Sequence, residues 1–206
     1  MQMTSGVRKF ALTTHVVSSV GWFGAVAAFL SLAVAGVSSS NSQVVRSAYV
    51  AMELVTWAVI VPFSLATLIT GVVQSLGTTW GLFRYYWVVA KLVLTVVATI
   101  ILLVHTQPIG RVASLAARRM LSSADLHQLR LQLIADAAAA IIALVVSTTL
   151  SVYKPWGLTP YGRAAIGRPM STATSSNFQR SLWIIALAIA LALFALLHLA
   201  SGGFHH

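Results

Sequence analysis

The sequence contains no cysteine at all. Disulfides, thiolate metal sites and thiol nucleophiles are therefore excluded, and cysteine usage says nothing about the redox compartment. Charge is scarce too: 8% of residues are charged, where a soluble globular chain carries about 25%. Acids are the rarest, with 3 Asp+Glu against 13 Lys+Arg, a formal net charge of +10. No glycine-rich phosphate loop and no nucleophile–base–orienter set is present, which argues against nucleotide and hydrolase chemistry. No basic stripe with interleaved aromatics occurs, so nucleic acid is not an expected partner.

What remains is apolar. Hydrophobic residues make up 58% of the chain, arranged in runs long enough to cross a bilayer, which takes about 20 mostly apolar residues. Five segments qualify: 11–37, 48–76, 84–106, 132–153 and 181–201. The expected fold is an all-α integral membrane protein, one domain over 1–206 built as a bundle of five transmembrane helices. Arg8-Lys9 before the first run resembles the start of a signal peptide. The run is much longer than the roughly 7–15 residues of a signal core, so a retained helix is expected.

The connections carry most of the cations, where anionic lipid head groups are their natural partners. The third connection, 107–131, opens with Gln107-Pro108 and continues with Val112, Leu115, Ala116, Arg118, Arg119, Leu121, Leu126 and Leu129. That pattern predicts a short amphipathic helix on the membrane surface between helices 3 and 4. The fourth, 154–180, has Pro155, Pro160 and Pro169 among glycines and a Ser/Thr cluster, and reads as an irregular loop. Arg8, Lys9, Arg84, Lys154, Arg163, Arg168 and Arg180 fall on the N-terminal side. Arg46, Arg111, Arg118, Arg119 and Arg130 fall on the other. The positive-inside rule then puts the N-terminus in the cytoplasm, and the inner (plasma) membrane of a bacterium is the expected location. Gly202 to Phe204 and the terminal His205-His206 are compatible with the remnant of an expression tag and are assigned no chemistry.

An ionisable side chain at mid-helix costs at least about 2.5–3.5 kcal/mol in hydrocarbon, so each one calls for a partner or a purpose. His15, Glu53, Lys91, His105, Asp136 and His198 lie in or at the ends of the spans. Helical periodicity aligns His15 with Ser18, Ser19 and Trp22. It aligns Glu53 with Thr56, Trp57, Ser64, Thr67, Gly71 and Gln74. Trp87, Lys91, Thr95, Ala98 and His105 share a third stripe, and Asp136, Ala140, Ala143 and Ser147 a fourth. Polar stripes facing one another inside the bundle avoid most of the cost. At about 1.5 Å per residue, His15 and Lys91 both lie some 8–10 Å below the N-terminal membrane face. Glu53, His105, Asp136 and His198 gather toward the opposite face. For the helix-end residues, capping, interfacial placement or a first-turn anion is the plainer alternative. Lys91 snorkelling along its aliphatic stem is another.

Half of the chain resembles the HemJ-type protoporphyrinogen oxidases and their relatives, the copper-resistance CopD domain and a group of membrane proteins of unknown function. The matching pieces are His15 with Val20-Gly21-Trp22-Phe23-Gly24, Met52-Glu53 ahead of Pro62 with Leu68-Ile69-Thr70-Gly71, and Trp87-Val88-Val89-Ala90-Lys91-Leu92. The aromatic-Pro-Arg stretch that follows the HemJ histidine helix is absent, Phe29-Leu30-Ser31-Leu32 standing there instead. The loop Val152 to Gly162 is closest to the relatives of unknown function. The resemblance implies haem b or a porphyrin as cofactor, with His15 as the metal ligand and His15, Trp22, Trp87 and Lys91 around the macrocycle. A redox partner and a homo-oligomer are compatible with it. A proton- or metal-coupled transporter using the Glu53/His105/Asp136/His198 cluster, and a structural assembly partner with no small-molecule site, are the alternatives.

Overall fold

The computed structural model describes residues 3–78, 80–117, 124–154 and 157–165. These form α1 (Ser5–Ser38), α2 (Ser42–Val55), a π-helical turn (Thr56–Ile60), α3 (Val61–Gly77), α4 (Tyr86–Ala117), α5 (Ala124–Tyr153) and the short α6 (Pro160–Ala164). Among the described residues, four helical rods are long and apolar enough to cross a membrane: Ser5–Ser38, Ser42–Gly77, Tyr86–Ala116 and His127–Tyr153. The chain is thus an all-α protein of integral-membrane character. The expected fifth span, 181–201, lies outside the described residues, as do His198 and most of the 154–180 connection.

The four rods close into a ring. α1 packs along α2, α3 and α5, and α4 packs along the same three, so α1 and α4 face each other across the bundle. Trp22, Ala25, Val26, Phe29 and Ala33, spaced at i, i+3, i+4, i+7 and i+11, form the buried stripe of α1. They meet Tyr49 and Met52 from α2, Ile109, Val112 and Ala116 from α4, and Leu133 and Ala137 from α5. Small residues allow the close approach that membrane helices depend on. A Cβ on Gly36 would stand 2.7 Å from the Tyr49 ring, and one on Gly21 3.1 Å from Phe63. Between α1 and α2 the chain reverses at Asn41, whose side chain accepts from the Gln43 and Val44 amides at 2.9 and 3.4 Å. That is an N-cap, and it starts α2 within three residues of the end of α1.

Two features depart from the sequence reading. The second rod is not one continuous α-helix. Pro62 has no N–H for the Ala58 carbonyl, and the turn before it widens, so that the Val61 amide reaches back to the Thr56 carbonyl. The extra residue rotates the remainder of the rod. Thr56, Ser64 and Thr67 are buried, while Trp57, expected on the same stripe, is 53% exposed. The second departure is at Pro108, expected to end helix 3 and begin a separate surface helix over 107–131. Instead α4 runs through Pro108 to Ala117, and 124–131 already belong to α5. The reason is packing: Ile109, Val112 and Ala116 are buried against α2 and α5, so this apolar stripe faces protein rather than lipid.

The α3–α4 turn and the segment after α5 dock together at the end of the bundle that holds the start of α1. The Thr159 amide donates to the Arg84 carbonyl at 2.9 Å, its hydroxyl donates to Phe83 O at 2.6 Å, and Tyr85 bridges Leu158. Lys154 adopts a left-handed backbone (φ +44°) and lays its ammonium 5.0 Å from the centre of the Trp80 ring.

Candidate functional site

At the N-terminal end of the bundle the rods diverge around a cavity of about 470 Å³. α1 is held to α3 along its rim: the Gln74 amide donates to the Ala11 carbonyl at 2.9 Å, and the Met3 amide to the Gly77 carbonyl at 3.3 Å. One helical turn deeper, His15 crosses to α3. A Cβ on Gly71 would stand only 3.2 Å from its ring carbon Cε1, so glycine leaves the space that the imidazole fills.

The tautomer of His15 follows from its neighbour. Thr70 Oγ1 lies 2.6 Å from the Ala66 carbonyl, which can only accept, so the hydroxyl hydrogen is committed there. Thr70 Oγ1 therefore accepts from His15 Nδ1, 3.0 Å away. In the neutral ring Nδ1 carries the hydrogen and Nε2 keeps its lone pair. This is the arrangement in which a partner on one ring nitrogen prepares the other to ligate.

Lys91 and Trp87 complete the opposite wall from α4, with the ammonium 5.9 Å from the centre of the Trp87 ring. Trp80 packs edge-on against Trp87 at 5.5 Å and against Tyr85 at 5.3 Å, and also borders the cavity. Arg8 and Lys9 stand at the mouth, and among the described residues neither Glu53 nor Asp136 lines the cavity. Thr67 also lines the cavity, and its buried hydroxyl oxygen has no hydrogen-bond partner among the described residues. A cationic, tryptophan-walled cavity with an imidazole on its wall suits a ligand that is both anionic and aromatic or apolar. Comparison with protein-family models, with curated proteins and with solved structures gave no match.

Of the residues expected at this site, the structure brings together His15, Trp87 and Lys91, but not Trp22. Seven residues after His15, and so about 10 Å further along α1, Trp22 borders a second, smaller cavity in the middle of the bundle. Ser18 and Ser19 do not reach the first cavity with their hydroxyls, which donate to the Thr14 and His15 carbonyls of their own helix at 2.7 Å. Sequence reasoning leaves out Thr70, Arg8, Lys9 and Trp80. The two cations stand in the sequence as a topology signal, but only the clasp between α1 and α3 shows that they overhang His15.

Of the opposite cluster, His105 and Asp136 meet: Nε2 and Oδ2 are 3.1 Å apart. Glu53 does not join them. Its carboxylate lies against α4 at Gly110, where a Cβ would stand 3.4 Å from Oε1. Among the described residues, no group of three His, Asp or Glu side chains is placed to hold a metal ion.

Proposed function

We propose that this chain is a membrane protein that binds haem b or a porphyrin in the cavity between α1, α3 and α4, with redox activity of the HemJ type. The observation that carries this reading is the His15–Thr70 pair, which anchors Nδ1 of an imidazole on the wall of the cavity that Lys91 and Trp87 also line. His15 would ligate the iron, since neutral imidazole suits it. Lys91, with Arg8 and Lys9 at the mouth, would hold the carboxylates, and Trp87 and Trp80 would lie along the ring. A cavity of about 470 Å³ falls within the 300–1,000 Å³ usual for cofactor sites. The bound group would supply the electron chemistry, and the bundle would position it and exclude water.

The full architecture in this reading adds a fifth span over 181–201 and places the link between α4 and α5 at the opposite membrane surface. The N-terminus lies in the cytoplasm of a bacterium, with anionic lipids around the basic ends. A proton-coupled transporter is the second reading, and the His105–Asp136 contact is the observation that favours it.

The deciding experiment is the visible spectrum of the protein purified in mild detergent and supplied with haem b. A Soret band is expected, lost or shifted in His15→Ala. Lys91→Ala should weaken binding more than it alters ligation, and Lys91→Arg, which keeps charge but changes shape and hydration, should recover part of the affinity. Identical spectra and haem content in the parent and all three variants would refute the assignment.

A further inference from the structure

The rim of the first cavity is fastened unevenly. On the α3–α4 side, Trp80 is braced by Trp87 at 5.5 Å and by the Lys154 ammonium at 5.0 Å. The turn that carries it is pinned through the Phe83 and Arg84 carbonyls, which accept from Thr159 at 2.6 and 2.9 Å. On the α1 side the fastening begins lower. Ala11 is the first buried residue of α1, and its carbonyl accepts from the Gln74 amide. His15 follows one turn deeper. Above Ala11, every residue from Thr4 to Phe10 is exposed.

The local sequence does little to hold these first two turns as helix. Thr4 stands at the N-cap position, but its side chain makes no capping bond among the described residues. Gly6 meets no described neighbour on the side where a Cβ would project, so it adds backbone freedom without packing. No acidic residue lies in the first turn, and Arg8 and Lys9 come directly after it, where the positive end of the helix dipole disfavours cations. Few buried contacts and weak local propensity mark a segment that opens while the rest of the fold stays intact.

Among the described residues, the tie that holds this segment to α3 above Ala11 is Met3. Its amide donates to the Gly77 carbonyl at 3.3 Å, slightly beyond the usual range of about 2.7–3.2 Å. Its side chain lies across the end of α3, and a Cβ on Gly77 would run into the Met3 thioether and methyl group. Met3 lines the cavity together with Arg8 and Lys9 of the same segment.

We propose that residues 3–10 form a flap over the first cavity, latched by Met3 on Gly77, that opens to admit an anionic ligand and closes over it. Entry past Met3 rather than past Trp80 follows from the fastenings, one long bond and a flexible side chain against a pinned turn. Arg8 and Lys9 give the flap its response. Without an anion they oppose the helix dipole and each other; with one beneath them that opposition is relieved and the closed helix is favoured. The flap rests on the haem or porphyrin reading for the identity of its ligand, whereas the latch acts with no ligand present.

The test exploits the absence of cysteine from the chain. Thr95 lines the cavity one turn beyond Lys91, and Thr95→Cys in the full-length chain, in lipid nanodiscs, is labelled with an anionic sulfonatoethyl methanethiosulfonate. Without ligand, adding Met3→Ala or Gly77→Ala should speed labelling roughly 3- to 10-fold, as loss of a contact of hydrogen-bond strength raises the open population. Met3→Leu, of similar volume, should stay near the parent rate. If Gly77→Ala does not fold, Met3→Ala, at a half-buried position, still decides. Equal rates in the parent and the latch variants would overturn the flap. Haem b should slow labelling of the parent, and a chain that shows a Soret band yet labels at its ligand-free rate would overturn it equally. Faster labelling in the latch variants with no Soret band would uphold the flap and count against the haem reading alone.

Discussion

Thr70 holds the hydrogen of Nδ1 on His15 because its own hydroxyl hydrogen is already given to Ala66. The two bonds form a chain with one direction, running from the imidazole through the hydroxyl to the α3 backbone. Removing the middle member should free the ring to rotate and to change tautomer. Thr70→Val keeps the branched shape and removes the acceptor. We expect haem affinity to fall about 10- to 100-fold, the range typical for loss of a group that orients a ligating histidine. The helix content by circular dichroism should be unchanged. Unaltered affinity in Thr70→Val would show that the bond does not orient His15.

The cations at the mouth should act through charge more than shape. Neutralising both Arg8 and Lys9 with glutamine is expected to weaken haem binding and to flatten its salt dependence, because exposed charges are screened over about 8–10 Å at ordinary ionic strength. The Soret position should stay as in the parent, since His15 is untouched. Titrations at low and high salt that overlay for parent and variant would exclude a role for this pair.

Packing at Gly36 offers a test of the fold that is independent of any ligand. A side chain there would run into the Tyr49 ring, whose atoms stand 2.7–2.9 Å from the position of a Cβ. Gly36→Leu should cost about 1–3 kcal/mol or more, as overpacking does in a close-packed interior. Thermal unfolding in detergent would measure it. Gly24→Ala, where a Cβ meets nothing within 4 Å, should leave the midpoint unchanged.

Topology can be read directly. Reporter fusions at residues 42 and 120 should report one side of the membrane, and fusions at 79 and 165 the other. The docking of Thr159 on Arg84 joins the second pair of positions at one end of the bundle. Opposite results for 79 and 165 would contradict that contact within a membrane.

Much of the bundle is legible in the sequence because a membrane leaves few choices. Apolar runs of span length can only be helices, and scarce ionisable residues have to share interior stripes. That logic places His15 near Lys91 and His105 near Asp136. It fails where one residue changes the phase. A π turn has no signature in a hydropathy pattern, so plain helical periodicity puts Trp57 on the stripe of Thr56, whereas it faces outward. Pro108 gives the opposite error, since a proline at the end of an apolar run reads as a stop. The buried Ile109, Val112 and Ala116 carry α4 past it. Periodicity gives Trp22 the same face as His15, and a face does not separate two cavities stacked along one helix.

The wide turn at Thr56–Ile60 makes the second rod a spliced object. Its first half is phased by Tyr49 and Met52 against α1 and α4, its second by Thr67, Thr70 and Gly71 against His15. One additional residue sets the offset between them, about 100° of rotation per residue. Deleting a single residue from 56–60 would leave composition, hydropathy and length almost as they are. Yet the two halves would then demand incompatible orientations, and either the central packing or the partner of His15 would turn toward lipid. A shortened chain of that kind should still insert as a full set of spans while losing its Soret band, which separates insertion from site assembly in one variant.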